Sequence, residues 1–181
     1  MDTDSVSAWL AAWQPSSAAD RALRDTIVDF LKHHPDGLWR GCREGHVTAS
    51  AFVVDLSTRR TAFVMHGLAR RWLQPGGHLE VGDTDIVAAA AREASEETGL
   101  SVVVDPRPLR VDAHSVRCRD ESGAVGPSVH FDIGLLALTG PGAVTRKGSD
   151  PVAWFALTDE LVGDQTMQRL RHAATRRFGD N

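Results

Sequence analysis

The chain has 181 residues, 42% of them hydrophobic and 24% charged, with a formal net charge of −4. That length holds one domain with an extension, buries a proper core, and is too apolar for extensive disorder. The negative balance offers no basic footprint to a nucleic-acid polymer or an anionic membrane, and no stretch reaches the length of a membrane span.

The opening segment, "MDTDSVSAWL", lacks the basic start and apolar run of a signal peptide. Cys42 and Cys118 are the only cysteines and neither sits in a CxxC pattern, so a disulfide framework is not expected and the thiols should be reduced. A cytoplasmic location follows as the expectation. Val6, Trp9, Leu10 and Trp13 fall at helical spacing, and Pro15 ends that segment. Ser16 and Ser17 offer an N-cap for a second helix with Leu23, Ile27, Phe30 and Leu31 on one face, broken by Pro35 and Gly37. Residues 1–44 are therefore expected to form a helical extension packed on a domain covering residues 45–181.

From His46 the period changes. "HVTASAFVVD" and "TAFVMH", separated by "LSTRR", predict two strands of a hairpin. Further strands are expected in "LSVVV", "LRVDAHSVRC", "SVHFDIGLLALT" and "VAWFAL". Thr158 can cap a short turn, and a last helix is expected from Asp164, with Met167, Leu170, Ala174 and Phe178 buried. Strands and helices interleave without strict βαβ alternation, so the fold class is α/β (α+β), a mixed sheet sandwiched between helices.

One predicted helix carries an unusual charge pattern. It enters through Gly82, Asp83 and Thr84, with Asp83 or Thr84 as N-cap, and ends at Gly99 in a left-handed C-cap. Val87, Ala90, Ala91, Ala94 and Thr98 gather on one face, small enough to lie close to a sheet. Glu93, Glu96 and Glu97 gather on the neighbouring face, where like charges at these spacings repel. Arg92 is one cation against three anions. A solvated acidic face is the ordinary reading; a hard divalent cation held by the carboxylates is the other.

The residues upstream bear on that choice. Gly76 and Gly77 follow a proline and let the backbone turn sharply toward a ligand. As a whole, "GGHLEVGDTDIVAAAAREASEETGL" strongly resembles the Nudix box, matched at Gly77, Asp83, Arg92, Glu93, Ala94, Glu96, Glu97, Gly99 and Leu100. Asp83 stands where the family usually has glutamate, and one extra residue separates it from Arg92. Both departures lie in the loop, leaving the register of the glutamates untouched.

The resemblance implies a Nudix-type α/β/α sandwich and a pyrophosphohydrolase. Its substrate would be a small molecule with a diphosphate linkage, often a nucleoside diphosphate derivative, and its cofactor Mg2+ or Mn2+. By position, Glu93, Glu96, Glu97 and the Gly77 carbonyl would hold the metal. Glu96 would be a ligand or the water activator, and Arg92 would orient a glutamate. In the family, the acid at the Asp83 position more often buttresses the loop than binds metal.

Five of the eight histidines (His46, His66, His78, His114 and His130) fall in the sheet region or the box. His46 is expected to be an ordinary core or surface residue. Asp112 with His114, and His130 with Asp132, each share a strand face. If those strands pair as a hairpin about residue 122, His114 stands opposite His130 and Asp112 opposite Asp132. The expectation is a polar cluster lining the substrate cleft, as phosphate contacts, a second metal site or a general base. His66, His78 and Arg70 are further substrate-binding candidates, while Trp72 is expected to pack beneath the loop.

Two rival readings remain. A silent Nudix-fold module would bind a nucleotide-like ligand without turning it over, but it should have lost its glutamates. An isoprenoid diphosphate isomerase-like enzyme would need a cysteine and a histidine-rich metal site, and neither cysteine here lies in the expected motif. Oligomeric state is not legible in the sequence, and a homodimer is compatible with it.

Overall fold

Asp2 and Ser17 set the first two helices. The Asp2 carboxylate accepts from the Ser5 amide at 2.8 Å at the start of α1 (Thr3–Ala12), and Ser17 caps α2 (Ala18–His33). These elements belong to a computed structural model, which describes residues 1–67, 70–120, 122–142, 144 and 151–157. The expected turn at Thr158 and the last helix with Met167, Leu170, Ala174 and Phe178 lie outside the described residues.

Among the described residues seven strands form one mixed sheet: β1 (His46–Asp55), β2 (Arg60–His66), β3 (Arg71–Leu73), β4 (Gly76–His78), β5 (Val103–Arg119), β6 (Val125–Thr139) and β7 (Val152–Ala156). The order is β3-β2-β1-β6-β5, with β4 also pairing β1 and β7 pairing β2. β1 and β6 run parallel over ten residue pairs, from His46 opposite His130 to Asp55 opposite Thr139. The remaining pairs are antiparallel, including the expected β1–β2 hairpin. The expected "LSVVV" and "LRVDAHSVRC" strands are one long β5. Irregularities between Val104 and Arg110 bend it, where Pro106 and Pro108 cannot donate to the ladder. The short strands β3 and β4 were not expected, since three residues carry too little periodicity to register.

Alternation divides the sheet into two faces. Val47, Ala49, Ala51 and Val53 of β1 pack with Ile133 and Leu135 of β6 against helix α3 (Ile86–Thr98) and against Val6, Leu10, Ile27 and Leu31 of the first two helices. The N-terminal helices thus share the central core, and the Trp9 indole donates to the Pro106 carbonyl at 3.1 Å, where β5 bends. On the opposite face, Phe52, Val54, Phe63, Leu136 and Leu157 form a smaller cluster. Trp72 packs there, edge-on to Phe155.

Candidate active site

Helix α3 starts one or two residues later than the loop sequence suggests, which offered Thr84 or Asp83 as N-cap. Its N-cap is Asp85, whose carboxylate accepts from the Ala88 amide at 2.8 Å. Asp83 is unavailable for capping because it is used elsewhere. Ile86, Ala89, Ala90, Ala94 and Thr98 are buried, so the buried stripe is centred slightly away from the expected Ala91. Small side chains bring the helix backbone close to β1. Gly99 ends the helix at φ 72°, and its amide donates to the Ser95 carbonyl, as the sequence predicts.

Asp83 and Arg92 lock the loop to the helix. The guanidinium donates to both Asp83 oxygens at 3.0 Å, to the His78 carbonyl at 3.0 Å and to Glu93 at 2.8 Å, with Glu96 at 3.4 Å. The remaining reach of Asp83 accepts the Glu80 amide at 2.8 Å. Burial acts to raise the Asp83 carboxyl, but Arg92 and the Glu80 amide outweigh it and hold it below the usual carboxylate range. A bidentate Arg–Asp pair of this kind fixes one orientation. The extra loop residue is absorbed without disturbing it.

The glutamates converge on β4. Glu97 accepts the Gly76 amide at 3.0 Å. The Glu93 carboxylate lies directly against Gly77, such that a Cβ on Gly77 would stand 2.7 Å from Oε1. Burial raises the Glu93 carboxyl, and Arg92 offsets this only in part. Glu96 is exposed. A half-buried carboxylate under-compensated by one shared arginine, beside a second glutamate and a bare backbone, is a donor set suited to a hard, oxygen-seeking cation. The residues present therefore fit the magnesium or manganese that the box implies.

The family comparison now bears on this arrangement. A model of the NUDIX domain matches residues 45–175, which includes the whole loop and helix just described. The chain belongs to the Nudix family. As a Nudix hydrolase it has similar folds among solved structures. A Nudix-family hydrolase from Clostridium perfringens is 20% identical, with a TM-score of 0.53 over 74% of this chain and 98% of that one. A C. elegans Ap4A hydrolase is 17% identical, with a TM-score of 0.51 and the same coverages, 74% and 98%. A UDP-X diphosphatase is 15% identical with a TM-score of 0.51, covering 99% of this chain and 98% of that one. That last alignment takes in the N-terminal helices as well as the Nudix core. No curated protein matches the chain.

The other candidate residues distribute as follows. His114 stands opposite His130, and Asp112 opposite Asp132, in the expected register. These residues share the face of His46, Thr48 and Ser50, which is turned away from α3, because alternation on β1 gives its odd positions to the helices. Asp132 is buried and accepts from Thr48 at 3.1 Å and Ser50 at 2.7 Å. Burial raises its carboxyl against those hydroxyls. His114 is half-exposed and held above its ordinary value by Asp112, 3.0 Å away, against the effect of burial. His66 and Arg70 are exposed around the β2–β3 turn, Arg70 at φ 49°.

His78 and His130 meet a residue set aside at the sequence level. His46 is fully buried, with its ring 5.1 Å from His78 and 4.8 Å from His130. Burial pushes His78 down to about 4 and His130 to about 3, so both rings are neutral near pH 7. Cys118, at the end of β5, completes the group. The signal was present as the polar stripe His46, Thr48, Ser50 at period two in an apolar strand. Cys42 is buried, and burial pushes its thiol up to about 11.

Proposed function

We propose that the protein hydrolyses a diphosphate linkage in a small nucleoside diphosphate-type substrate, with Mg2+ or Mn2+ held by Glu93, Glu96, Glu97 and the Gly77 carbonyl. The observation that carries this reading is the convergence of Glu93 and Glu97 on the Gly76–Gly77 backbone, braced by Arg92. When bound, the metal supplies charge neutralisation at the phosphates and a more acidic water. The chain does the positioning. Asp83 holds Arg92, Arg92 aims Glu93, and the Gly76 amide holds Glu97. Glu96, exposed and within 3.4 Å of Arg92, is the group placed to accept a proton from the attacking water. Attack at phosphorus then breaks one P–O bond and leaves two phosphate-bearing products. His66 and Arg70 offer exposed hydrogen-bond donors to the substrate's phosphates, whereas His114 lies on the sheet face turned away from α3.

The similar structures include an Ap4A hydrolase and a UDP-X diphosphatase, and those two substrate classes belong in the first screen. Hydrolysis of nucleoside triphosphates, dinucleotides, nucleotide sugars and ADP-ribose should be assayed with magnesium, beside Glu97→Gln. Turnover on at least one class is expected, reduced roughly 100-fold or more in the variant, on the scale of losing one charge-stabilising group. Equal turnover by the variant, or none by the unaltered protein, would overturn the assignment. Ligand binding without turnover would favour a silent binding module.

A further inference from the structure

His46, His78, His130 and Cys118 come from four different strands, β1, β4, β6 and β5. One ligand-capable atom from each lies within 4.8 Å of the others. The Cys118 sulfur is 3.2 Å from His78 Nε2 and 3.8 Å from His46 Nε2. Ligand atoms around a tetrahedral zinc stand about 3.4–3.8 Å apart, given bonds of about 2.0–2.3 Å. The cluster therefore has close to the dimensions of a four-coordinate site.

The hydrogen bonding points the same way. His46 Nδ1 lies 3.3 Å from the Cys42 carbonyl and 3.4 Å from the Ser128 hydroxyl. A proton on Nδ1, donated to that carbonyl, leaves Nε2 as a bare lone pair aimed at the sulfur, the usual arrangement behind a metal-bound histidine. His130 adds a buried Nε2 with no hydrogen-bond partner among the described residues. As an ordinary packed cluster, the group has one thiol proton to share among several converging lone pairs. A cation satisfies all of them at once.

We infer that His46, His78, Cys118 and His130 form a binding site for a borderline-soft divalent transition metal, zinc foremost, separate from the carboxylate site on α3. Three imidazoles and a thiolate select against magnesium and calcium. With four protein ligands the site is closed, so its role is structural: it cross-links β1, β4, β5 and β6. Binding takes the thiol proton of Cys118 to solvent and forms the metal–sulfur bond. Access is open on one side, where Cys118 borders a shallow depression with Arg40, Arg43 and Ser128. His78 follows Gly77 directly on β4, so the metal would also steady the strand that carries the candidate catalytic backbone.

Cobalt(II) is the probe. Titrated into the reduced, chelator-treated full-length protein, it should give a thiolate-to-cobalt charge-transfer band and intense visible bands of four-coordinate cobalt. These should saturate stoichiometrically, vanish on adding zinc, and persist in excess magnesium. Cys118→Ser should lose the charge-transfer band and His130→Ala should shift or lose the visible bands, while Cys42→Ser and Glu97→Gln keep both. Zinc should raise the melting temperature of the unaltered protein but not of Cys118→Ser. No cobalt band in the unaltered protein, or an unchanged band in Cys118→Ser, would overturn the site whether or not the variants fold well. Because Glu97→Gln tests the hydrolase and leaves this readout intact, failure of one reading is distinguishable from failure of the other.

Discussion

Asp83 is the residue whose role the sequence left most open, and the structure gives it three hydrogen bonds, two from Arg92 and one from the Glu80 amide. Asp83, where the family usually has glutamate, reaches both partners from this loop. Its carboxyl is held below the ordinary range in the folded chain. The stabilisation is therefore fully present above the unfolded value of about 3.9 and disappears as pH falls through the lower folded value. Urea unfolding across a pH series should show Asp83→Asn less stable than the unaltered protein at pH 7. The difference should begin to shrink below about pH 4 and vanish only beneath the lower folded value. Parallel curves would mean the Arg92 pair adds nothing. At this scale the positions of the glutamates and Arg92 were legible because a helix converts spacing directly into position. His46 and Cys118 were not, since they meet only through pairings between strands distant in sequence.

The three-residue strand β4 carries two glycines with opposite demands. A Cβ on Gly76 would stand 2.6 Å from the Ser50 Cβ and 2.7 Å from the Ala49 carbonyl, both part of β1. The three atoms nearest one on Gly77 all belong to the end of the Glu93 side chain, at 2.7–2.9 Å. Gly76→Ala should therefore strain the β1–β4 pairing and lower stability by about 1–3 kcal/mol in denaturant unfolding. Gly77→Ala should leave stability nearly unchanged while displacing Glu93, seen as weakened magnesium dependence and lost hydrolysis. If both variants behave alike, the division between the two faces of β4 is wrong. Sequence periodicity could not reveal β4, yet the Pro-Gly-Gly signal marked its place. The long strands and α3 were legible from their periods, whereas the merging of two expected strands into β5 depended on how β6 pairs along its whole length.

For the molecule as a whole, the N-terminal helices are part of the main core. Val6, Leu10, Ile27 and Leu31 share one apolar cluster with β1, β6 and α3. Leu10→Ala should cost about 2–5 kcal/mol in chemical denaturation, the range for a fully buried leucine, and the loss should appear in a single transition shared with the sheet. A separate early transition for the helices would show instead that they hold on loosely. The extension was legible as two amphipathic helices, but not its continuity with the core, because a helix stripe does not name the surface it covers.

The parallel pairing of β1 with β6 has a bearing on synthesis. Residues joined across it, such as Thr48 and Asp132, lie 84 positions apart in the chain, while β5 and β6 are joined by a tight turn. The β5–β6 hairpin can close locally, whereas β1 must wait until β6, ending at Thr139, has left the ribosome before its principal partner exists. The histidine site depends on that closure. The carboxylates need only β4 seated on β1, whereas the histidines need β1 and β6 in register. The histidine centre cannot be assembled on a nascent chain that stops short of residue 130.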